Sequence, residues 1–63
     1  MMMTYRQLNT VIHTLSEDEL WSLLQDEREG ERRFSMLRRI HQRYSSLRAQ
    51  RERQALLREA RVR

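Results

Sequence analysis

The residue types that carry catalysis or metal binding are few in this 63-residue chain, and they are scattered. His13 and His41 lie 28 positions apart with no matched acid or nucleophile beside either. Ser22, Ser35, Ser45 and Ser46 fall in segments with helical patterning, without the tight turn or Gly-rich loop that activates a nucleophile. Gly30 is the only glycine, so no backbone loop of the phosphate-cradling kind can form. Cysteine is absent and no His/Asp/Glu set has ligand spacing, which leaves neither disulfide nor structural metal as reinforcement. The remaining cluster, Glu17, Asp18 and Glu19, stands where a helix begins, and adjacent carboxylates there complement the helix dipole. A metal or partner site is the alternative for that triplet. The expectation is a protein that is not an enzyme and takes no cofactor, metal or small-molecule substrate.

Arginine is the chemistry left over. All thirteen basic residues are Arg, and the planar guanidinium fork suits bidentate contacts with carboxylate or phosphate. The bland alternative is a GC-rich genome that encodes Arg for every surface cation. Net charge is +4, but the charge is sharply divided. Up to Glu31, two Arg face seven carboxylates, giving −5; beyond it, eleven Arg face two carboxylates, giving +9.

Two binding functions fit this pattern. In the first, Arg38, Arg39, Arg43 and Arg32 dock on an acidic protein surface while Trp21, Met36 or the pair Leu56 and Leu57 supply apolar anchors, since Arg and Trp are enriched among binding hot spots. Separate blocks of each sign also suit steering onto a complementary field. In the second, Arg32, Arg38, Arg39, Arg43, Arg48, Arg51 and Arg53 neutralise phosphates of DNA or RNA. A helix-turn-helix version fails, because Asp26, Glu29 and Glu31 occupy positions around Gly30 that should be small, apolar or partly buried. The acidic first half would also be repelled by phosphate. A structural homodimer, with long helices paired antiparallel to set acidic against basic segments, is a third and blander option. The protein partner is the reading adopted, with nucleic acid second.

These side chains need helices to hold them. Phe34, Leu37, Ile40, Tyr44 and Leu47 recur at helical steps, so 34–47 (FSMLRRIHQRYSSL) is expected to supply much of the core, with Arg38, Arg39 and Arg43 directed to solvent. Before it, Tyr5, Leu8, Val11, Ile12 and Leu15 mark a first helix over 4–15, capped by Thr4 and built of mediocre helix formers. LSEDEL, 15–20, is the sharpest local signal. Ser16 and Glu19 form a capping box with Leu15 and Leu20 as a hydrophobic staple, opening a second helix over 16–29. Leu20, Leu23 and Leu24 give its buried face, with Trp21 at the flank, and the positions continuing that stripe are Glu27 and Glu31.

Gly30 fits the position just past a helix end, which predicts a helical hairpin turn near 29–31; the rival is one continuous helix through the glycine, at a cost of roughly 1 kcal/mol. The third helix is expected over 31–60, its distal part open to fraying. There Arg51 and Arg58 take stripe positions while Leu56, Leu57 and Ala60 point elsewhere with nothing in the chain to cover them. That patch reads as a dimer contact or a partner site, or as a solvated tail. The fold class expected is all-α: a helical hairpin or small three-helix arrangement, one domain over 1–63, with dimerisation open. Apolar runs are too short for a membrane span of roughly 20 residues, and Met1 to Met3 lead into Thr4, Tyr5 and Arg6 without the apolar region of a secretory signal. The cytoplasm is the expected compartment.

In kind, a very small, Arg-only helical chain resembles the short accessory proteins of bacteriophages, many of which bind and inhibit a host protein. QLNTVIHTLSEDEL, 7–20, is similar to the part of the Hha family of small nucleoid-associated helical proteins in which an apolar helix leads into an L-S-acidic helix start. That resemblance implies an H-NS-type partner. The Arg-rich remainder departs from the family.

Overall fold

The computed structural model describes residues 3–61 and is all-α: α1 is Tyr5–Val11, α2 is Glu17–Glu29 and α3 is Phe34–Arg61, with a single 3-10 turn over Ile12–Thr14 between the first two. α2 and α3 form an antiparallel hairpin, and α1 lies against the near half of α3.

The starts of α1 and α2 are set by side chains. Thr4 Oγ1 accepts from the Gln7 N–H (3.1 Å), and Gln7 Oε1 accepts from the Thr4 N–H (2.9 Å). Ser16 and Glu19 repeat the arrangement at 3.2 and 2.9 Å, forming the expected capping box. The Ser16 backbone N–H, with the Ser16 side chain second, holds the Glu19 carboxyl below its usual range. α1 stops at Val11, short of residue 15. Asn9 Nδ2 and Thr10 Oγ1 donate to the carbonyls of Tyr5 and Arg6, and Thr14 Oγ1 donates to that of Val11 at 2.6 Å. Such local bonds compete with helix propagation and favour the tighter turn.

The hairpin forms at Gly30: α2 ends at Glu29, the Gly30 N–H makes its last helical bond to the Asp26 carbonyl (2.9 Å), and α3 begins only at Phe34, so the continuous-helix alternative is not adopted. The left-handed residue of the turn, however, is Arg32 (φ 54°), whereas Gly30 has φ −99°. Arg32 is held there by its N–H on the Glu27 carbonyl (2.9 Å) and its Nε on the Arg28 carbonyl (2.7 Å), against a cost of about 1 kcal/mol for a side chain in that region. The turn consumes residues 30–33, so α3 begins at Phe34 and not at 31.

The core is Leu8, Ile12, Leu20, Leu24, Met36 and Ile40, with Met3, Leu15, Leu23, Leu37, Tyr44 and Leu47 packed half-buried around it. Two members differ from the expected stripe. Phe34 is 76% exposed, and Met36, expected to be available as an anchor for a partner, is buried. Two successive steps of three turn a stripe by roughly 120° at 3.6 residues per turn, which carries Phe34 away from Ile40, whereas Met36 and Ile40 are one i,i+4 step apart.

α3 has 28 residues and a length of about 42 Å, so it makes most of the long axis of a molecule measuring 50 × 21 × 16 Å. Every described residue from 48 onward is exposed, yet the helix continues to Arg61. The distal third is a helical arm beyond the core.

Candidate interaction surface

Ion pairs clip the α2/α3 hairpin at both ends. At the open end, Arg51 Nε lies 2.7 Å from Glu17 Oε2. At the turn, Glu27 is 2% exposed and accepts three hydrogen bonds from Arg33: from the backbone N–H (2.9 Å) and Nε (3.2 Å) at Oε2, and from Nη2 (2.9 Å) at Oε1. Arg33 Nη2 also donates to the Met3 carbonyl at 2.7 Å, tying the start of the chain to the turn. The Arg33 side chain holds the Glu27 carboxyl below its usual range, against the upward push of burial, and Glu27 in turn raises Arg33. Glu17 acts in the same direction on Arg51, as Glu52 does on Arg48.

These contacts sort the arginines. Arg48 is paired with Glu52 at 3.0 Å and Arg51 with Glu17, so both are spent within the chain. Arg39 is half-buried, its Nε on Asn9 Oδ1 (2.9 Å) and Nη1 on Gln42 Oε1 (3.2 Å). Arg43, one turn along, is also half-buried, with its Nε enclosed and unpartnered among the described residues. The expectation that Arg38, Arg39 and Arg43 all face solvent therefore holds only for Arg38. The short, polar α1 engages Arg39 through Asn9, and periodicity within α3 carries no information about that. Arg32 is exposed but engaged at the turn, while Arg53 is exposed on the distal arm.

Arg38 is the exposed member, and its side chain makes no hydrogen bond or ion pair among the described residues. It stands on a ridge between two shallow grooves. One, of about 540 Å³, is lined by Trp21, Leu24, Arg28, Leu37 and His41 together with Arg38. The other, of about 330 Å³, has Tyr5, Phe34, Ser35, Arg39 and Gln42 on its far side. Trp21 is 47% exposed and rests on Tyr44, with ring centroids 5.4 Å apart and planes inclined at 39°. That support fixes the indole while leaving part of it uncovered. Tyr5 is equally exposed, so three aromatic rings surround one unengaged guanidinium. Leu56 and Leu57, at 65% and 55% exposure, lie apart from this face on the distal arm.

Sequence reasoning picked out Trp21 and Arg38 but not Phe34 and Tyr5, which helical spacing assigns to the core. It also missed the Glu27 and Arg33 pair. The available signal was a carboxylate on an otherwise apolar stripe, followed six residues later by an arginine across a glycine turn. Among the described residues no group of three or more His, Cys, Asp or Glu side chains is placed to hold a metal ion, and no helix is long and apolar enough to cross a membrane. In comparisons with protein-family models, curated proteins and solved structures, nothing matches the chain.

Proposed function

We propose that this protein is a non-catalytic binding module that modulates a protein partner carrying an acidic surface, with α3 as the docking helix. The observation that carries the reading is Arg38, exposed and unengaged between grooves walled by Trp21 and by Tyr5 and Phe34. A guanidinium that leaves no internal bond behind can take a carboxylate at no internal cost, and flanking rings exclude water from the contact once a partner covers them. The cytoplasm remains the compartment assigned, consistent with a cysteine-free chain.

Direct DNA or RNA binding is less well supported by the same geometry. Of the seven arginines that would track phosphates, Arg48 and Arg51 are held by carboxylates and Arg39 by Asn9 and Gln42. At 3.6 residues per turn, Arg38, Arg43 and Arg53 sit at different angles around α3 and form no single row.

The test is Arg38→Glu. A partner captured from host lysate and then purified should bind the variant about tenfold or more weakly, the loss expected of a hot-spot contact, with helicity unchanged by circular dichroism. Undiminished binding would remove Arg38 from the site. Arg39→Glu/Arg43→Glu is a poorer test, because Arg39 bonds Asn9 of α1 and both residues are half-buried, so the change would disturb the fold as well.

A further inference from the structure

On the flank of α2 away from Trp21, Met3, Leu15 and Leu23 floor a shallow apolar groove of about 410 Å³. Asp18, Glu19 and Asp26 stand along its rim. Glu19 is committed to its cap, but Asp18 and Asp26 are exposed and form no ion pair among the described residues. The distal arm of α3 has the opposite character. Leu56 and Leu57 are exposed, and Arg53, Arg58 and Arg61 beside them are exposed and form no ion pair among the described residues. Asp18 to Asp26 and Arg53 to Arg61 both span eight helical steps, about 12 Å each, so the arm matches the groove in length as well as in charge.

The arm cannot reach the groove of its own chain, because α3 runs unbroken from Phe34 to Arg61 and carries the arm away from the core. Two arms side by side would oppose net positive charge, three unpaired guanidinium groups on each against the single carboxylate of Glu59. We propose that the arm of one copy docks in the groove of a second copy, Leu56 and Leu57 covering Met3, Leu15 and Leu23, and the arm arginines facing Asp18 and Asp26. Exchange is reciprocal about a twofold axis, so each contact occurs twice in the dimer. A chain of 63 residues buries a modest share of its own surface, and the exchange covers apolar area that it leaves open. The Arg38 face lies on the other side of α2 and stays free, so this inference and the proposed partner site stand or fall separately.

Sedimentation of the full chain from low micromolar to sub-millimolar concentration, near physiological salt, tests the exchange. The mass should rise from 7.8 kDa toward twice that value. Leu56→Glu/Leu57→Glu should hold the chain as a monomer with unchanged helicity, the positions being exposed. Asp18→Arg/Asp26→Arg and Arg53→Glu/Arg58→Glu/Arg61→Glu should each weaken association about tenfold or more, and both sets in one chain should restore it, because the reversed charges again face each other across the interface. Arg38→Glu should leave the mass unaltered. A monomer at every concentration overturns the proposal, as does a dimer that survives Leu56→Glu/Leu57→Glu or a charge-reversal pair whose losses add instead of cancelling.

Discussion

Glu27→Ala is expected to lower stability by about 2 to 3 kcal/mol and the thermal midpoint by roughly 10 to 20 °C, read by circular dichroism. The carboxylate is almost fully enclosed and accepts three hydrogen bonds, so its removal leaves the Arg33 backbone N–H without its acceptor and opens the turn. The loss stays below that of a fully buried pair because the Arg33 side chain is 31% exposed and retains the Met3 carbonyl and Glu31. Total stability for a domain of this size is of order 3 to 9 kcal/mol, so the loss is a large share of it. Acid should act on the same group. Its folded pKa lies below the unfolded value, so its contribution is complete above the unfolded carboxylate pKa and disappears as pH falls through the folded one. The variant should therefore show a flatter acid dependence than the parent. A loss under about 0.5 kcal/mol, the level of ordinary surface changes, would mean that the pair does not hold the turn.

Ile40→Ala is expected to cost about 2 to 5 kcal/mol, enough to leave much of the chain unfolded at the upper end of that range. Ile40 is completely buried in the first third of α3, within the core that α1 and α2 complete, and the six-residue core has few neighbours that can collapse into the space. Phe34→Ala is the matched control. Phe34 belongs to the same apolar pattern but is 76% exposed, so its truncation should change stability by no more than about 0.5 kcal/mol. Urea denaturation of both variants separates the cases. Equal losses would place Phe34 in the core and remove it from the Arg38 face.

Much of this architecture was legible in the residues. The LSEDEL capping box, the helix break at Gly30 and the apolar stripe from Leu37 to Leu47 each rest on local physics that survives into the fold, so the all-α hairpin and its long third helix could be read directly. What could not be read depends on where one helix lies on another. Phe34 and Met36 exchange roles because the seam of α3 is decided by two neighbours approaching from different flanks. Arg39 turns inward because α1 meets it through Asn9, and Arg32 takes the left-handed conformation of the turn because the turn closes on Glu27. The candidate site was visible in its residue types, Trp21 and Arg38, while the rings that complete it, Tyr5 and Phe34, were concealed by helical spacing.

The proposed function requires that Arg38 on α3 serve a protein contact and not a phosphate backbone. Fluorescence anisotropy of the purified chain with a DNA duplex and with a single-stranded RNA, titrated from low to physiological salt, tests it most directly. Each phosphate neutralised on duplex DNA contributes about −0.9 to the slope of log affinity against log salt. With Arg48 and Arg51 paired internally and Arg39 tied to Asn9, the account predicts weak binding that is gone before physiological salt. Micromolar or tighter binding at physiological salt, with a slope of several units, would contradict it and make nucleic acid the ligand of α3.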